Sequence, residues 1–184
     1  LTLTAVAIDG NSAGSGAGGG VAATGTLNVI DSTISNNDAV LSGAIYPFGV
    51  AILNIKNSTL SGNSTINVGG AITESGTSLG SLTTIENSTI TNNSTTAANG
   101  GGIFASRSPI IRSTIIAGNT AGSTPDVFGA FNSQGYNLVG KADGSTGFTA
   151  TGDIIGTISS PLDPRLTPLA TNGGRTQTHA LCEA

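Results

Sequence analysis

One short stretch, rewritten along the chain at a nearly constant interval, constrains the fold more than any other feature. Residues 31–37 read DSTISNN, residues 57–63 read NSTLSGN and residues 87–93 read NSTITNN. Fainter copies stand at residues 5–11 (AVAIDGN) and 113–119 (STIIAGN). The closing asparagines are Asn11, Asn37, Asn63, Asn93 and Asn119, at steps of 26, 26, 30 and 26 residues. Self-similarity at one such period is the signature of a solenoid, in which each copy stacks on the last.

Stacking the copies aligns their side chains in columns. Leu1, Leu27 and Leu53 form one; Leu3, Val29, Ile55, Ile85 and Ile111, two residues on, form another on the same strand face. Ile8, Ile34, Leu60, Ile90 and Ile116 form a third, with Ile115 an equal alternative at the last step. Val21, Ile45, Ile72 and Ile103 form a fourth, after glycine-rich runs. Three or so short apolar runs per copy imply three strands per turn of a parallel β-helix. The long step implies about four extra residues near positions 74–80, bulging as a loop, and the Tyr46-Pro47-Phe48 cluster implies a local bulge.

Composition agrees with strands and turns. The 184 residues include 28 Gly, three Glu, two Lys and no Met, too little helix-forming material for a 3.6-residue apolar stripe. Recurrent glycine runs at matching places are expected to serve turns of positive φ or close backbone stacking. The net charge of −4 without a basic patch argues against a nucleic-acid partner. No apolar run is long enough to span a bilayer, and the single Cys182 excludes an intrachain disulfide. No cofactor or metal is expected.

Two polar columns accompany the apolar ones: Asp31, Asn57, Asn87 and Ser113, and the asparagines Asn11, Asn37, Asn63, Asn93 and Asn119. Asparagines ~4.8 Å apart on adjacent coils can bond amide to amide, giving a structural ladder. Glycosylation is the alternative, since Asn57, Asn63, Asn87 and Asn93 lie in Asn-Xaa-Ser/Thr sequons; an inward asparagine cannot serve as an acceptor. Lys56, Glu86 and Arg112 form a charged column expected to face solvent. Thr33/Ser35, Thr59/Ser61 and Thr89/Thr91 flank the inward aliphatics and are expected to point outward in register. Ordinary solvent-facing strand residues account for them; a flat array binding ice or a surface glycan is the alternative.

After residue 131 the pattern changes. The strings GYNLVG at 135–140 and DPRLTPLATNGGRTQTHAL at 163–181 resemble the close of the bacterial choice-of-anchor Q domain, to which the Ser-Thr-Ile-Ser-Xaa-Asn coils are also similar. The resemblance implies a right-handed parallel β-helix of the pectin-lyase-like class on a secreted or surface protein. Members usually continue past His-Ala-Leu with a Pro-Gly-Ser-Pro-Ala segment, where this chain reads Cys182-Glu183-Ala184.

Enzymes on such folds need facing carboxylates or a carboxylate-held cation. Asp9, Asp31, Asp38, Glu74 and Glu86 share no column; Asp143, Asp153 and Asp163 stand ten residues apart, and the single His179 recruits no triad. The expectation is therefore an all-β right-handed parallel β-helix of about five to six coils. Residues 1–131 form the coils, and residues 132–184 an irregular last coil and cap folding over the C-terminal end. Its expected role is a non-catalytic structural or adhesive module, exported to a bacterial surface or extracellular assembly, with a polysaccharide-active β-helix enzyme as a further alternative. Leu1 falls directly on a strand column, so its open edge is expected to be covered by upstream coils or by other copies of the chain.

Overall fold

The computed structural model describes residues 1–74 and 81–182. It is an all-β parallel solenoid of about five turns. A ten-stranded sheet, a seven-stranded sheet and a three-stranded sheet run along the axis, each built by like strands of successive coils. The pairing registers are those of the sequence columns: Leu3 on Val29, Val29 on Ile55, Ile55 on Ile85 and Ile85 on Ile111. In the seven-stranded sheet Ile8, Ile34, Leu60, Ile90 and Ile116 align, which settles the fifth copy on Ile116, with Ile115 opposite Thr89.

These aliphatics, from Val29 and Ile34 onward, are at most 1% exposed and form one continuous core with Ile45, Ile72, Ile103 and Val127. Each fully buried aliphatic contributes on the order of 2 kcal/mol. Two positions per copy take a left-handed turn. One carries Ala5, Asp31, Asn57, Asn87 and Ser113 at φ of 48–55°; the other carries Gly10, Asn36, Gly62, Asn92 and Gly118 at 54–73°. Hence the alternation of Asn and Gly just before each ladder asparagine, because these residues enter that region at least cost. At Gly70, by contrast, the constraint is space, since a Cβ there would collide with the carbonyl of Gly101 on the next coil.

The Tyr-Pro-Phe cluster makes the expected bulge: Ala23 pairs Pro47 while Gly25 pairs Ala51, and the Tyr46 and Phe48 rings stack at 6.0 Å. The extra loop inferred near 74–80 lies outside the described residues. The coil pattern runs on past residue 131. Asn132–Ser133 pairs with Ile110 and Ile111, Leu138–Val139 with Ile115 and Ile116, and Ile154–Ile155 with Leu138 and Val139. GYNLVG is thus another copy of the repeat, with Tyr136 in the left-handed turn at φ 59° and Val139 in the core.

The tail divides in two: up to residue 162 it stays at the C-terminal end, where Phe148 packs on Phe131 at 4.9 Å and the Leu162 N–H donates to the Gly140 carbonyl. Ile154, Ile155 and Ile158 at that end are 57, 49 and 51% exposed. Residues 163–182 instead form an antiparallel hairpin, bridged at Leu166–Leu181 and Ala170–Thr178, that runs back to the early coils of the seven-stranded sheet.

Candidate functional site

The threonine and serine positions 33, 35, 59, 61, 89 and 91 come together in register as expected, Thr33 on Thr59 on Thr89 and Ser35 on Ser61 on Thr91. They are not open to solvent, which corrects the reading of an exposed array. Thr33, Ser35, Thr59, Ser61 and Thr91 are 1–4% exposed, and Thr89 is half-buried. The hairpin lies against Thr33 and Ser61. Thr33 Oγ1 donates to the Gln177 carbonyl at 2.5 Å, Thr176 Oγ1 donates to the Asp31 carbonyl at 3.2 Å, and His179 Nε2 lies 2.9 Å from Ser61 Oγ. His179 Nδ1 is 2.7 Å from the Thr167 carbonyl. A carbonyl only accepts, so Nδ1 carries the proton and, in the neutral ring, Nε2 accepts from the Ser61 hydroxyl. Between the hairpin tip and the first turns lies an open cleft of about 340 Å³, lined by Thr4, Asp31, Asn57, Arg175 and Thr176 among others.

The asparagine ladder is present. Each Nδ2 donates to the next rung's Oδ1: Asn11 to Asn37 at 2.9 Å, Asn37 to Asn63 at 3.0 Å, Asn63 to Asn93 at 2.8 Å and Asn93 to Asn119 at 3.0 Å. The same Oδ1 atoms also accept the backbone N–H of the preceding rung. Asn37, Asn63, Asn93 and Asn119 are fully buried, which removes Asn63 and Asn93 as glycosylation acceptors in the folded chain. Asn57 and Asn87 are exposed, and Asn57 Nδ2 donates to Asp31 Oδ1 at 3.1 Å.

A second ladder escaped the sequence reading. The backbone N–H groups of Val6, Ser32, Ser58 and Ser88 donate to the hydroxyls of Ser32, Ser58, Ser88 and Thr114, and Thr114 N–H donates to Asn137 Oδ1. The signal was the serine directly before Thr33, Thr59 and Thr89, with Thr114 at the matching place of the next coil; in so hydroxyl-rich a chain it does not stand out.

Asp126 and Asp163 line one open cleft with Lys141, Leu162 and Pro164. Asp9 accepts from Ser35 Oγ at 2.7 Å and Asn36 Nδ2 at 2.8 Å, and these bonds hold it below the usual carboxylate range. Asp153 accepts from Asn137 and Ser133, Asp143 from the Ile158 N–H and Asp163 from the Arg165 N–H. Burial pushes Glu74 up to about 7, against the Thr83 hydroxyl and the charge of Arg107. Asp126, fully buried, is raised by desolvation against the hydrogen bonds from Asn119 and the charge of Lys141. Lys56, Glu86 and Arg112 stand in register, with Lys56 and Arg112 exposed and Glu86 half-buried.

Among the described residues, no group of three or more His, Cys, Asp or Glu side chains could hold a metal ion. Among the same residues, no helix is long and apolar enough to cross a membrane. Compared with family models, with curated proteins and with solved structures, the chain gives no match.

Proposed function

We propose that this chain is a non-catalytic structural or adhesive module, exported to a bacterial surface or extracellular assembly. The observation that carries the reading is the pair of continuous ladders. The buried polar groups of each coil are used to lock it to the next, so the solenoid holds its outer columns, Lys56–Glu86–Arg112 and Asp31–Asn57–Asn87, at fixed spacing. A rigid surface of repeated side chains suits contact with a repetitive partner, a surface glycan or further copies of the chain. Membership of the choice-of-anchor Q domain, and with it the bacterial surface location, rests on the resemblance of the coils and of the tail strings at 135–140 and 163–181.

The strand Thr2–Thr4 pairs along one edge only, with residues 28–30, and Leu1 is 71% exposed. That edge is the proposed contact for upstream coils or for another subunit. Light scattering over a concentration series should show the mass rising with concentration; a strictly monomeric chain would remove self-association from the reading. Incubation with a panel of neutral and acidic polysaccharides should release no product, and turnover above background would sink the non-catalytic assignment.

A further inference from the structure

We propose that the Arg175–Thr176 peptide bond is a processing site for an endopeptidase specific for basic residues, and that cutting it uncovers the hydroxyl array. The inference goes beyond the structural role, because it makes the covered face conditional on one bond.

Two independent observations lead there. The first is access. Residues 171–175 at the hairpin tip are all exposed, and Gly173 sits at φ 87° with open space where a Cβ would be. Gly173, Gly174 and Arg175 make no backbone hydrogen bond. An exposed tip of small residues is where endopeptidases nick folded chains, because the enzyme must draw the backbone into an extended form. The other basic residues are less available. Lys56 and Arg112 lie in strands of the ten-stranded sheet, Arg107 and Lys141 are half-buried, and the Arg165 carbonyl is bound by the Cys182 N–H at 2.7 Å.

The second observation is where the fastenings lie. Among the described residues, the hydrogen bonds from the hairpin to the early coils come from Thr176, Gln177 and His179, on the C-terminal side of that bond. Water adding across the amide leaves a carboxylate on Arg175 and an ammonium on Thr176. The nine residues 176–184 are then held without a covalent link. What holds them is then those three bonds to the coils together with pairing to the opposite arm, chiefly the reciprocal Ala170–Thr178 bonds at 3.0 and 2.9 Å, Thr167 to Ala180 at 2.8 Å and Cys182 to Arg165 at 2.7 Å. A two-stranded pair is marginal in water, and a free peptide gains translational freedom on leaving. The fragment departs, and Thr33, Thr59 and Ser61 are left facing solvent.

Brief digestion of the folded chain with trypsin, read by mass spectrometry and gel filtration, tests both steps. The first cut should fall after Arg175, and fragment 176–184 should separate from the solenoid; Arg175→Gln should abolish that cut. In a Thr59→Cys, Cys182→Ser chain, the thiol-labelling rate should rise on the order of tenfold after cleavage, as cover is lost. If this double variant fails to fold, separation of the fragment from the unaltered chain carries the second step alone. A first cut at any other basic residue with Arg175 intact overturns the proposal. So does a cut at Arg175 that leaves the fragment bound.

Discussion

Asn119 donates twice to Asp126, from its backbone N–H at 2.8 Å and from Nδ2 at 2.9 Å, both to Oδ1, and this contact ends the ladder that begins at Asn11. The hydroxyl ladder ends the same way, with Asn137 donating its N–H and Nδ2 to Asp153 Oδ1 at 3.0 and 2.9 Å. From each rung the backbone N–H and Nδ2 both donate to the next group toward the C-terminal end, Nδ2 also donating back to the preceding coil as from Asn63 to Ile34, so the terminal group has to accept twice. A carboxylate meets that condition and, unlike an amide, brings no N–H of its own to be satisfied. Asp153 is satisfied on its other oxygen by Ser133 Oγ and the Ala150 N–H, whereas Asp126 Oδ2 is buried without a hydrogen bond.

Removing the terminator should therefore be costly. Asp126→Ala strands two buried Asn119 donors and should lower stability by roughly 3 kcal/mol, read as an earlier midpoint in urea at unchanged slope. An unaltered midpoint would mean that the ladder ends in solvent.

The asparagine columns should respond differently although both carry the same sequon. Asn63 accepts from Asn37 and donates to Asn93 and to the Ile34 carbonyl, so Asn63→Ala should cost roughly 3 kcal/mol. Asn57 is exposed and its side chain donates to Asp31, so Asn57→Ala should cost under about 1 kcal/mol. Equal losses in denaturant melts would contradict the burial difference.

Much of this was legible because period 26 puts like side chains on top of one another: the Ile34–Leu60–Ile90 column and the asparagine ladder both follow from counting. GYNLVG was harder to see as a coil, since Tyr136 takes the turn and Gly140 closes it against Ala117 and Asp126. Nothing periodic marks where the hairpin docks. The bonds from Thr33 to Gln177 and from Asp31 to Thr176 close loops of 144 and 145 residues, and an outward threonine column reads alike whether water or chain covers it.

That difference changes one substitution. Ile85→Asp places a charge at a fully buried site between Ile55 and Ile111 and should unfold the chain. Thr59→Asp, harmless on an open face, now meets a site 4% exposed and should cost about 1–3 kcal/mol. Thermal melts of both, with Lys56→Ala as an exposed control, separate the cases: a Thr59 variant as stable as the control would leave that face open.

Glu74 sets a pH dependence of defined sign. Its carboxyl is raised from 4.5 to about 7 in the fold, so between these values the unfolded chain ionises while the folded chain keeps its proton. The folded state binds more protons there, so stability falls as pH rises from 4.5 and levels off above about 7, by roughly 3 kcal/mol in all. Asp9, lowered by Ser35 and Asn36, acts in the opposite sense and below 3.8, outside that window. Urea midpoints measured across the window should fall for the natural chain and stay flatter in Glu74→Gln. Parallel profiles would place the titration elsewhere.

The hairpin should come loose without taking the solenoid with it. His179 joins the two arms through Thr167 and fastens them to Ser61, and most of residues 163–182 remain exposed, so little apolar area ties this segment to the core. His179→Ala leaves the ladders and the aliphatic columns untouched. Amide exchange across residues 166–182 should therefore quicken on the order of tenfold, while the cooperative melt shifts by less than about 1 kcal/mol. Thr33→Val, which removes the donor to Gln177 from the other side, should do the same. If either variant lowered the main transition together with the hairpin's protection, the hairpin would be part of the cooperative core, and its covering of the array would be permanent.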